Sequence, residues 1–96
     1  MLNKGRWNDE EIINENWIAE CTTPCSIAPF YGYLWWLNDV RSGLLSGTPK
    51  SAYCAMGVGT QVIYVDPEND VVVVARWIEQ DKVSEFLRMV LASIEK

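Results

Sequence analysis

Hydrolysis by a serine needs a base held beside the hydroxyl. The spacing Ser-x-x-Lys does this on a helix, where one turn brings a lysine amine next to the serine. Ser26, Ser42, Ser46, Ser51, Ser84 and Ser93 are read as lacking this arrangement, and the chain has no histidine for a Ser–His relay. No internally complete nucleophile is expected, and no catalytic residue is assigned. The acid pairs Glu10/Glu11 and Glu68/Asp70 sit in turn-like, solvated contexts. They are expected to be surface groups rather than a general acid and base.

Cys21, Cys25 and Cys54 are the three cysteines. An odd count fits free thiols in a reducing compartment better than a disulfide framework. A Cys21–Cys25 metal or redox pair is conceivable, but there is no histidine and no second cysteine pair to complete a zinc site. The three are expected to be small thiols, buried or half-buried. No metal and no cofactor is expected.

Ala55-Met56-Gly57-Val58-Gly59-Thr60-Gln61 is more informative. Glycines inside a strand mark a bulge, or a close approach by a ligand or another backbone. A dinucleotide-binding loop follows a strand and opens a helix. These glycines instead run into Gln61-Val62-Ile63-Tyr64-Val65, so a nucleotide loop is excluded. The aromatic run Tyr31 to Trp36 fits a ligand platform or, better, a core strand with aromatic cross-strand pairs.

The elements that must position these residues follow from pattern. Asn14 can cap a short helix through Trp17, Ile18 and Ala19, which Pro24 stops near Cys21. Phe30 to Leu37 has the composition of a strand, expected over 31–37. Residues 39–51 hold glycines, a proline and serines and read as a loop, with Leu44 and Leu45 as its apolar tip. Ala52 to Val65 reads as a second extended stretch. Asp66-Pro67-Glu68-Asn69-Asp70 is a tight turn, and Val71 to Trp77 a third strand that pairs back across it. Val83, Phe86, Leu87, Val90, Leu91 and Ile94 fall on one helix face. Asp81 and Lys96 complement that helix's dipole. The expected fold is α+β: a three-stranded antiparallel sheet carrying a short N-terminal and a long C-terminal helix.

A chain of 96 residues allows one small domain, residues 1–96. The net charge of −5 and the lack of a basic stripe argue against nucleic acid as a partner. No apolar run approaches the roughly 20 residues of a membrane span, and Met1-Leu2-Asn3-Lys4-Gly5 opens no signal-peptide core. A cytoplasmic protein without membrane contact is the expectation. Five tryptophans and four tyrosines imply a dense core or a surface meant to be covered.

Four segments together resemble one family. Gly5-Arg6-Trp7-Asn8 with Ile12-Ile13-Asn14 and Trp17-Ile18 resembles the "GrWnG…iLs…Wv" segment of β-lactamase-related serine hydrolases. This family holds class C β-lactamase-like esterases, penicillin-binding-protein relatives and 6-aminohexanoate-dimer hydrolases. Tyr31-Gly32-Tyr33-Leu34-Trp35-Trp36 is similar to its "YGYGWW" strand. Ala55-x-Gly57-x-Gly59-Thr60-Gln61, then Val65-Asp66-Pro67 and Asp70 through Arg76, is similar to its "AxGxGGQxixvdPxxdlVvVxR" hairpin. The C-terminal amphipathic helix also matches. The resemblance covers nearly the whole chain.

The resemblance implies that Ser-x-x-Lys and Tyr-x-Asn lie upstream of this segment. Thr60 and Leu34 stand where the family has glycines. It also implies that the backbone of Gly57, Val58, Gly59 and Thr60 occupies the family's oxyanion-binding, substrate-contacting strand. Two functions follow as expectations. One is a non-catalytic, self-associating remnant of a hydrolase, with a small-molecule cleft in reach. The other is the C-terminal half of a split serine hydrolase, active only with an upstream hydrolase chain that brings the nucleophile. Strands that lose their neighbours leave an apolar face and an open edge. A homo-oligomer through sheet surface is the expected cover; the alternative is the 39–51 loop folded over that face.

Overall fold

The computed structural model describes residues 1–38 and 45–94. Asp39, Leu44 and Lys96 lie outside the described residues. The architecture is α+β, with two α-helices and two antiparallel sheets among the described residues. A two-residue hairpin opens the chain: β1 (Arg6–Trp7) pairs with β2 (Glu10–Glu11) across Asn8 and Asp9. Both loop residues have left-handed φ, +49° and +68°, as a type I′ turn requires and as Asn and Asp tolerate. Glu10 and Glu11 therefore lie in a short exposed strand rather than in a turn.

Helix α1 (Glu15–Cys21) starts where Asn14 accepts a hydrogen bond from the Asn16 backbone N–H at 2.8 Å. It ends where the Thr23 hydroxyl donates to the Ala19 carbonyl at 2.7 Å, one residue before Pro24. Beyond it the sequence expectation fails. Residues 31–37 are not one strand: only β3 (Trp36–Leu37) is extended, with an isolated bridge from Tyr31 to Trp36. The segment folds back on itself, as the Gly32 N–H to Trp35 carbonyl bond at 2.8 Å shows. The cause is local. Gly32 passes directly against the Cys21 carbonyl, where any Cβ would collide. Leu34 then takes a left-handed φ of +67°. Aromatic contacts hold the turn: Phe30 stacks on Trp36 at 6.0 Å, and Trp17 meets Tyr33 at 5.5 Å.

The expected stretch 52–65 is two strands, β4 (Tyr53–Gly57) and β5 (Gln61–Asp66), joined by a three-residue turn. With β6 (Val71–Ala75) the main sheet has four strands in the order β3-β4-β5-β6, not three. The β5–β6 hairpin forms as the turn residues require, closing at Asp66 and Val71. Asp66 is fully buried and anchors it. Its carboxylate accepts from the Tyr64 hydroxyl at 2.8 Å, the Asn69 backbone N–H at 3.0 Å and the Asn69 amide at 2.8 Å.

Residue pairing divides the sheet into two faces. Cys54, Val62 and Tyr64 share one face with Val71, Val73 and Ala75. A 3-10 turn (Gln80–Lys82) leads into α2 (Val83–Ile94), which covers this face. Val83 and Leu87 are buried in that core, with Leu91 packed at its edge. Phe86 does not share their burial and is 37% exposed, so the docked stripe is narrower than the apolar one. Leu45 is buried in the same core. Nearby, the Asn38 amide donates to the Pro49 carbonyl at 2.7 Å. The described part of the 39–51 loop thus joins the α2 side and does not cover the opposite face.

That opposite face is covered at one end only. Leu37, Tyr53 and Val65 pack there with Met1, Leu2 and Trp35. At the other end Ile63, Val72 and Val74 stay open, 44%, 46% and 64% exposed. Among the described residues no helix is long and apolar enough to cross a membrane.

Candidate functional site at the β4–β5 tip

The four residues singled out by sequence lie together at the open end of the sheet. Gly57 is the last residue of β4 and pairs with Gln61; Val58, Gly59 and Thr60 form the turn between them. The glycines therefore mark neither a bulge nor a strand interior but a hairpin tip. Gly59 has φ +87° and Thr60 has φ +57°, both left-handed. Glycine pays no steric cost there; threonine, β-branched, does.

Gly59 meets a second demand. The Trp77 ring lies across it so closely that a Cβ would run into the six-membered ring. Trp77 itself takes a left-handed φ of +58° and remains largely exposed. The close approach at Gly59 is thus made by a side chain of this chain, a partner the sequence expectation did not include. Arg76 joins the corner, its Nε donating to Gln61 Oε1 at 3.5 Å. Gln61, Arg76 and Trp77 carried no assigned role in the sequence. Arg76 and Trp77 directly follow the valine run, and only the hairpin register brings them beside Gln61.

Beneath the tip is a shallow hollow of about 280 Å³, lined by Ala55, Gly57, Gln61, Ile63, Val74 and Arg76. It offers an apolar floor with one amide and one guanidinium at its rim. It can bind a small group or another chain. It holds no nucleophile and no base. A larger hollow of about 710 Å³ lies against α2, where Glu68, Asn69 and Arg88 are its polar lining. It too has no nucleophile.

One pair does satisfy the Ser-x-x-Lys spacing: Ser93 with Lys96. The expectation that no serine has this spacing is therefore corrected at Ser93, where the environment argues against catalysis. Ser93 is exposed in the last turn of α2, and its hydroxyl donates to the Val90 carbonyl at 2.6 Å. A hydroxyl used as a donor to its own helix is not presented to a base.

The thiols are free and spread apart in environment. Cys54 lies in the core, and burial pushes its thiol up to about 12. Cys25 is exposed, and the backbone N–H groups of Ile27 and Ala28 hold its thiol below the ordinary value. Cys21 is buried. Burial, followed by the neighbouring Asp66 carboxylate, raises the Tyr64 phenol. Among the described residues no three His, Cys, Asp or Glu side chains converge as a metal site. No family model matches the chain, and no curated protein does so either.

Proposed function

We propose that this chain is a non-catalytic, self-associating remnant of a β-lactamase-like serine hydrolase, associating through the bare end of its sheet. The observation that carries this is the open apolar surface of Ile63, Val72 and Val74, with Val58 and Trp77 also exposed at the tip. Each Å² of such surface left wet forgoes roughly 25 cal/mol of burial. A self-complementary twofold contact is the simplest cover for it.

Two features support the family part of this reading. The motifs occur in the family's order along the sequence. Leu34 and Thr60, which replace glycines of the family pattern, both keep the left-handed backbone that glycine serves best. By position, Gly57, Val58, Gly59 and Thr60 are the substrate-contacting backbone of the family, and the hollow beside them is its remaining cleft. The pure chain should turn over neither nitrocefin nor a fluorogenic ester above buffer. Native mass measurement should find it associated. Stoichiometric labelling of any serine by an active-site-directed phosphonate would end the non-catalytic reading.

A second reading has its own support. Trp7, Ile12, Trp17, Tyr33 and Leu34, on elements other than β5 and β6, are further exposed apolar side chains. A larger hydrolase chain carrying Ser-x-x-Lys and Tyr-x-Asn would cover both regions. Adding such a chain should then restore ester or β-lactam turnover. Unchanged silence in the mixture counts against the split enzyme.

A further inference from the structure

β6 is an edge strand: among the described residues its only partner is β5. Soluble proteins guard such edges with lysine, proline, bulges or inward charges. Val71-Val72-Val73-Val74-Ala75 has none of these. It pairs with β5 in unbroken register, without a bulge. The strand is instead framed by opposite charges, Asp70 before it and Arg76 after it, both exposed.

We infer that β6 pairs antiparallel with β6 of a second copy, in the register centred on Val73, so that Asp70 of each chain faces Arg76 of the other. This rests on the self-association reading and specifies its partner and geometry. A twofold axis perpendicular to the sheet keeps α2 of both copies on the same side. It also requires paired residues to share a face, which leaves registers centred on Val72, Val73 or Val74. Centred on Val72, Asp70 faces a valine. Centred on Val74, Arg76 faces a valine. Only the Val73 register matches the charges, and it does so twice by symmetry.

The same register reduces the exposure of the β6 edge of the bare face, while Ile63 on β5 stays outside the contact. Val72 of one copy lies opposite Val74 of the other, and these are the two exposed valines of β6. Each flank that faces water in the single chain is then covered by the partner's valine. Two four-stranded sheets become one of eight strands. Cross-strand valine pairs and opposite-charge pairs each stabilise such a ladder.

The test uses two single variants, Val72→Cys and Val74→Cys, each in the full chain with Cys25→Ser to remove the exposed thiol. Directly opposite residues in an antiparallel pair have Cα atoms about 4.5–5.5 Å apart, within disulfide reach. Under mild oxidation neither variant alone should cross-link. A one-to-one mixture should cross-link up to about half of its chains, the statistical share of mixed pairs in a twofold contact. Peptide mapping should place the bond between positions 72 and 74. Arg76→Glu should weaken association several-fold, with the fold checked by circular dichroism. Native mass measurement separates the failures. Dimers that do not cross-link in the mixture overturn the edge pairing and leave self-association standing. Chains that stay monomeric overturn both.

Discussion

Ile63 and Val74 lie directly opposite each other on β5 and β6, on the face that α2 leaves bare. Val74 belongs both to the open face and to the open edge, so one side chain reports on either mode of association. Lysine at an edge is a natural guard against pairing. Val74→Lys should therefore raise the dissociation constant of the associated form by at least about tenfold, the effect of roughly 1.4 kcal/mol. Its melting temperature at low concentration should stay within a few degrees, since an exposed position contributes little to the core. Unchanged sedimentation of Val74→Lys would show that the contact lies elsewhere.

Helix α2 is held by few side chains. Leu87 is buried in the core, so Leu87→Ala should cost about 2–5 kcal/mol. In a domain of this size that is a large part of the total. Phe86 stands outside the docked stripe, and Phe86→Ala should cost under about 1.5 kcal/mol on the same area argument. Denaturant titration of the two variants checks this, and equal losses would mean that both residues are docked.

At the tip, the left-handed turn and the Trp77 ring act on one residue. Gly59→Ala should destabilise by about 1–2 kcal/mol from the backbone alone, with a further loss from the collision. In a Trp77→Ala background the collision is gone, and Gly59→Ala should cost measurably less. The converse change, Thr60→Gly or Leu34→Gly, should stabilise by roughly 0.5–1 kcal/mol, because each replaces a strained left-handed residue. A loss of stability on either glycine substitution would contradict the backbone described for these turns.

The core thiol and phenols set an alkaline limit. Burial pushes the Cys54 thiol from an ordinary value of 9.0 up to about 12, and it also raises Tyr53 and Tyr64. Above pH about 9 the unfolded chain loses a proton that the folded chain keeps. The unfolded state then binds fewer protons, so stability falls as pH rises through this window and is full below it. Cys54→Ala should flatten part of that fall in thermal melts between pH 8 and 11. For the same reasons iodoacetamide should modify exposed Cys25 first, and Cys21 and Cys54 only on unfolding. Early labelling of Cys54 would contradict its placement.

The parts of the fold set by local chemistry were readable. Periodicity defined α2, Asn14 and Pro24 bounded α1, and Asp66-Pro67 announced the β5–β6 turn. The losses have specific causes. Val58 and Thr60 are strand formers, so only Gly59 signalled the tip that divides 52–65. The aromatic run around Tyr31 carries high strand propensity, but Gly32 is pressed against the Cys21 carbonyl, a contact between distant elements. Asn8-Asp9 was an available signal for the first hairpin. At the candidate site the sequence singled out Gly57 to Thr60 but placed them within one extended stretch rather than at a hairpin tip. Trp77 over Gly59 was not readable, because it depends on the β5–β6 register bringing residues 18 apart in sequence together.

Sedimentation equilibrium of the unmodified chain over a micromolar concentration series tests the central claim most directly. Self-association through the bare sheet predicts a species of twice the 10.9-kDa chain mass that dissociates on dilution. A single 10.9-kDa species across the whole series would contradict it.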